Sequence, residues 1–113
     1  MRLESKKYLH DITNAAGLAL QFVAGKSFSE YVSDALLRSG VERQLQTVGE
    51  ALTQLSKIDP ETAARITEHR NIIAFRNILV HGYANIDDRV VWGVLELKLS
   101  RLLQEAEVLL AEG

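Results

Sequence analysis

Val41, Leu45, Val48, Leu52 and Leu55 recur along the chain at steps of four, three, four and three residues. This is the apolar seam of a helix that packs lengthwise against others at a small crossing angle. One such segment needs partners, so the rest of the chain has to supply helices with matching faces.

It does. Tyr8, Ile12, Ala15, Ala19, Phe22 and Val23 fall at helical spacing and predict a helix from about Leu3 to Val23, ended by Gly25. Ser27 or Ser29 can cap a second helix, with Tyr31, Val32, Ala35 and Leu36 on one side and an interruption at Ser39-Gly40. Asp59-Pro60 reads as an N-cap followed by proline at the first helical position, opening a segment through Ala63, Ile66, Ile72, Ile73, Phe75 and Leu79. Gly82 offers a left-handed stop. Asp87 can cap a last helix carrying Val91, Leu95, Leu99, Leu102, Ala106 and Leu109. No strand pattern appears. The expected fold is all-α, an up-and-down bundle of four to five helices. Leu97 and Val108 project away from that last apolar stripe, as a second contact surface such as a dimer interface or as stray exposed aliphatics.

Composition sets the scale. A length of 113 residues at 47% hydrophobic content suits one domain, residues 1–113, with a core of its own. One proline and seven glycines leave no linker or low-complexity tail. With no cysteine there are neither disulfides nor thiolate sites. The charged start MRLESKKYLHDITNAAG is not a signal peptide, and no later stretch reaches the roughly 18 apolar residues of a membrane span, so the expected location is the cytoplasm. A net charge of -2 argues against a generic basic nucleic-acid binder. Arg65, Arg70 and Arg76 nevertheless lie close together in sequence with His69 and His81, and mark where phosphates would go, with Arg65 and Arg70 as candidate phosphate contacts.

Enzyme signatures built on a phosphate loop, an HExxH helix or a GxSxG elbow are missing. Asp34, Glu50, Asp87 and Asp88 are scattered between elements, so neither a metal site nor a cofactor is expected. His10 and His69 read as surface residues. His81 stands at a helix end before Gly82 and Tyr83, five residues after Arg76. An imidazole there can simply cap the last carbonyls. It can also move a proton near neutral pH while a planar, permanently charged arginine meets charge building on a phosphate. With the RNA 2′-hydroxyl as nucleophile, that pair cleaves RNA without metal. Five residues of helix turn through about 500° and leave the two side chains about 140° apart. Either the helix ends early, so that His81 swings back, or two copies of the segment form a composite cleft across a dimer.

The stretch RNILVHGY, Arg76 to Tyr83, resembles the signature of HEPN-domain ribonucleases and most closely that of HepT-like toxins. In these an arginine and a polar residue precede a histidine, and a tyrosine follows two positions later. YLHDI (Tyr8 to Ile12), FSEYVSD (Phe28 to Asp34), VGEAL (Val48 to Leu52) and NIDDRVVW (Asn85 to Trp92) fall in the family's order across nearly the whole chain. The family's Pro-Trp pair before the arginine is replaced here by His69-Arg70-Asn71 and apolar residues.

The resemblance implies a homodimeric, metal-independent endoribonuclease acting on tRNA or mRNA, the toxin of a type VII-like toxin-antitoxin pair. Its implied partner is an MntA-like nucleotidyltransferase antitoxin that silences it by transferring AMP to Tyr83. Arg76 would hold the scissile phosphate, His81 would act in proton transfer, and Asn77 would orient one of them. Glu50 matches a family position, but beside an apolar seam its structural reading is an ion pair with an arginine. The alternative function is a non-catalytic accessory subunit that holds nucleotide or substrate for a nucleotidyltransferase. A plain helical dimerisation module with a histidine cap is the third reading.

Overall fold

The computed structural model describes residues 1–82 and 85–113. Among these are seven helices and no strand: α1 Leu3–Val23, α2 Phe28–Ser33, α3 Ala35–Ile58, α4 Pro60–Ala64, α5 His69–His81, α6 Asp88–Leu97 and α7 Leu99–Glu112. The seam of α3 is buried from Val41 to Leu55 and faces Leu9, Ile12, Ala15, Ala16 and Ala19 of α1. On its far side α1 packs against α7, and α3 carries α5 on its other flank. The long rods α1, α3, α5 and the α6–α7 pair make the expected all-α bundle. No described helix is long and apolar enough to cross a membrane.

Several helix starts lie where the side chains demanded them. Ser27 and Glu30 form a reciprocal capping box, each bond 3.1 Å long. Asp59 caps α4 and binds more than its own helix: Thr62 Oγ1 and the buried Ser5 Oγ both donate to its Oδ2 at 2.8 Å. Those bonds, that from Thr62 foremost, hold its carboxyl below the usual carboxylate range. Asp87 caps α6 through the backbone N–H of Arg89. Phe28 and the buried Tyr31 meet Trp92 with ring centroids 6.0 and 5.5 Å apart, so two separate sequence segments join there. Burial, with Glu42 and Asp88 nearby, pushes the Tyr31 hydroxyl above its ordinary range.

Other boundaries differ from the sequence reading. No break occurs at Ser39-Gly40; the chain breaks at Asp34, whose side chain accepts from Leu37 N at 3.0 Å and starts α3. Gly40 stays helical and lies against the Phe22 ring. The new register also separates the stripe expected on the second helix: Tyr31 is buried, while Val32 and Leu36 are exposed.

The segment opened by Pro60 is cut at residues 65–68, where Glu68 takes a left-handed backbone (φ 58°) uncommon for a side chain larger than glycine. Contacts to α7 and its start explain it. Arg65 forks onto Glu112 with two bonds of 2.6 Å, Thr67 donates to Glu105 through both its backbone N–H and hydroxyl, and Glu68 bridges Arg101 at 2.9 Å and Lys98 at 3.6 Å. The expected last helix is divided at Lys98 (φ −125°, ψ −33°). Gly82 is not left-handed (φ −106°); its need for glycine is proximity, because a Cβ there would stand 2.9 Å from the Ile78 carbonyl. Leu97 and Val108 do project into solvent.

Candidate active site

Two helices meet unusually closely where Arg76 leaves α5. A Cβ at Gly49 of α3 would overlap Arg76 Cβ and come within 2.7 Å of its Cγ. The glycine therefore lets α5 lie against α3 at the level of the arginine, and the next residue on α3, Glu50, takes the guanidinium. Arg76 Nη2 and Glu50 Oε2 are 2.6 Å apart, and Asn77 Oδ1 accepts from Nη1 at 3.1 Å. Of the five N–H donors of an arginine, these contacts engage one on each terminal nitrogen. Nε is buried without a partner in the described structure. Two donors remain on a fork whose direction is set from both sides, the form in which arginine grips phosphate.

That fork opens on a cleft of about 460 Å³ between α1, α3 and α5. Arg43, Thr47, Glu50 and Gln54 line it from α3, Lys7, Tyr8 and Asp11 from α1, and Arg76 and Val80 from α5. Glu50 was expected to pair with an arginine, and it does.

His81 is the last residue of α5, and its exposed side chain makes no hydrogen bond or ion pair among the described residues. Because α5 stays helical through it, the early helix end is not the arrangement observed. Regular helix geometry places His81 about 140° around the axis from Arg76 and about 7.5 Å along it. Within one chain the two side chains diverge. The arc between them carries the exposed Val80, while the exposed Ile78 lies about 60° beyond His81.

The remaining candidates lie apart. Arg65 is engaged by Glu112 beside α7, away from the Arg76 cleft. Arg70 is exposed one and two-thirds turns before Arg76, about 120° around α5. Tyr83 lies outside the described residues. Sequence reasoning missed Gly49 and the α1 wall of the cleft. A lone glycine inside so regular a seam was the available signal for the first, since an isolated helical glycine often marks close approach. The wall depends on how α1 docks, which leaves no local trace.

Comparison with known proteins places the chain in a family. The family described as Ribonuclease HepT-like matches residues 12–109. A protein of Thermococcus cleftensis, named as a probable ribonuclease HepT, is 30% identical over 96% of this chain and 98% of its own length. Proteins provisionally named RNases from Methanocaldococcus jannaschii and Caldanaerobacter subterraneus are 25% and 26% identical, covering 91% and 93% of this chain and 94% and 93% of their own. No solved structure matches significantly. With the family spanning the core, the α5 motif and both walls of the Arg76 contact, the chain belongs to the HepT-like ribonucleases.

Proposed function

We propose that this ribonuclease is the metal-independent toxin of a toxin-antitoxin pair and cleaves RNA by transesterification at Arg76 and His81. The observation that carries this reading is the Arg76 fork, held by Glu50 and Asn77 at an open cleft lined by polar side chains from α1 and α3. The 2′-oxygen attacks phosphorus as its proton is removed, the bond to the 5′-oxygen breaks, and that oxygen takes up a proton. The products are a 2′,3′-cyclic phosphate and a 5′-hydroxyl. Arg76 meets the charge on the non-bridging oxygens, and His81 carries one of the two proton transfers.

The divergence of Arg76 and His81 on one helix favours a homodimer in which two α5 motifs face each other and His81 of one copy serves the fork of the other. Val80, exposed between them, suits that contact. Control by a nucleotidyltransferase antitoxin is what the resemblance of the motif to HepT-like toxins implies: AMP on Tyr83, two residues after His81 in the sequence, would add bulk and negative charge that repel an RNA phosphate.

Purified, unmodified protein incubated with tRNA and mRNA in excess chelator is expected to release fragments ending in 2′,3′-cyclic phosphate. Intact RNA, or cleavage only after divalent metal is restored, overturns the reading. For the regulatory part, coexpression with an MntA-like nucleotidyltransferase should add the mass of AMP to the wild type and not to Tyr83→Phe. An unmodified wild type under those conditions removes this mode of control.

A further inference from the structure

The cleft that receives the Arg76 fork extends well beyond it. Arg43, Thr47, Glu50 and Gln54 stand at helical spacing on one face of α3, a run of about 16 Å, so from the phosphate site at Glu50 the floor continues about two turns toward Arg43 and about one toward Gln54. Tyr8 of α1 forms the opposite wall, its ring partly exposed and partly packed on the core. Arg43 is exposed near the end remote from Gln54 and has no ion-pair partner among the described residues. A flat aromatic ring and an uncommitted guanidinium, on opposite walls of a groove leading away from a phosphate site, are the elements with which proteins hold single-stranded RNA.

We infer that the α1–α3 groove is a subsite for a nucleotide flanking the cleavage point, with Tyr8 stacking its base and Arg43 taking its phosphate. This rests on the ribonuclease reading for the identity of the strand, and not on which groups cut it. Lys7 Nζ lies 4.7 Å from the centre of the Tyr8 ring and 3.2 Å from Asp11. Both contacts are exposed, and an i,i+4 pair in water is worth little, so an entering base displaces the ammonium readily and leaves Lys7 near the same strand. Gln46, Thr47 and Gln54 add hydrogen-bonding groups without adding negative charge. Stacking on Tyr8 is tolerant of sequence, because every base has a π face.

The test uses the full chain and a short single-stranded RNA, 2′-O-methylated throughout so that it binds without being cut. Affinity is measured by fluorescence anisotropy across a salt series for wild type, Tyr8→Phe, Tyr8→Leu and Arg43→Gln, with melting temperatures alongside. Tyr8→Leu keeps an apolar side chain against the core and is expected to weaken binding about tenfold with an unchanged salt slope, while Tyr8→Phe binds as wild type. Arg43→Gln is expected to reduce the slope of log affinity against log salt by about 0.7, as loss of one phosphate contact does on a single strand. Wild-type affinity and slope in folded Tyr8→Leu and Arg43→Gln overturn the subsite. Cleavage of unmodified RNA by the same proteins separates the two readings: binding that depends on Tyr8 without any cleavage by wild type supports the subsite and counts against the nuclease, and cleavage with no dependence on Tyr8 or Arg43 does the reverse.

Discussion

Arg76→Ala and His81→Ala are each expected to slow RNA cleavage by about a hundredfold or more, the usual scale for losing a positioned proton-transfer group or the cation facing a developing charge. Both should remain folded. His81 is exposed and without partners among the described residues, so its removal stays within about 0.5 kcal/mol of wild-type stability. Arg76 loses an ion pair whose carboxylate side chain is 48% exposed, a contact of the class worth about 0–1 kcal/mol. Steady-state cleavage rates beside urea melts separate the two effects. Wild-type cutting by either folded variant removes that residue from the chemistry.

The same two variants test the composite cleft. If Arg76 of one copy works with His81 of the other, mixing the inactive proteins creates heterodimers with one intact site and one doubly damaged site. Random exchange makes about half the dimers mixed, so about a quarter of wild-type activity should return. A site within one chain gives no recovery. Regular helix through His81 makes that second outcome hard to reconcile with a shared phosphate, which is why the mixing experiment discriminates so sharply.

Gly49→Ala is the second large effect, and its sign is opposite to what helix propensity alone dictates. Alanine in place of a helical glycine is ordinarily favourable by up to about 1 kcal/mol. Here the added methyl would collide with Arg76 Cβ and Cγ and stand 3.4 Å from its Cα, next to backbone that cannot swing aside as the end of a long side chain can. Separating α5 from α3 costs about 1–3 kcal/mol, which outweighs the propensity gain. The same shift displaces the fork from Glu50, so cleavage should fall together with stability. Gly93→Ala is the internal control: a Cβ there meets nothing within 4 Å, and the propensity gain should appear undiminished. Urea melts of the two variants check the pair; a Gly49→Ala protein as stable as wild type would mean that α5 does not approach α3 so closely.

Much of this molecule can be read along the chain. The seam Val41 to Leu55 and the run Tyr8 to Ala19 describe faces that recur every three or four residues, and burial follows them because a helix repeats the same geometry at every turn. Ser27, Asp59 and Asp87 sit at helix starts because a short polar side chain satisfies an orphan N–H from its own position. The Arg76 to Tyr83 motif is likewise local, a matter of residue types and spacing.

What the sequence by itself determined was therefore the helices, their apolar faces, most of their caps and the residues of the motif. Only the tertiary structure decided the left-handed turn at Glu68, held by Lys98 and Arg101 about thirty residues away, and the kink at Lys98. It also decided that Glu50 faces Arg76 across a glycine, that Tyr8 walls the cleft, and that His81 points away from the fork on its own helix. The division has one physical cause. Capping and periodicity are satisfied within a few residues, whereas an ion pair, a close approach or a cleft wall exists only after two distant segments have packed, and their register is set by the whole core.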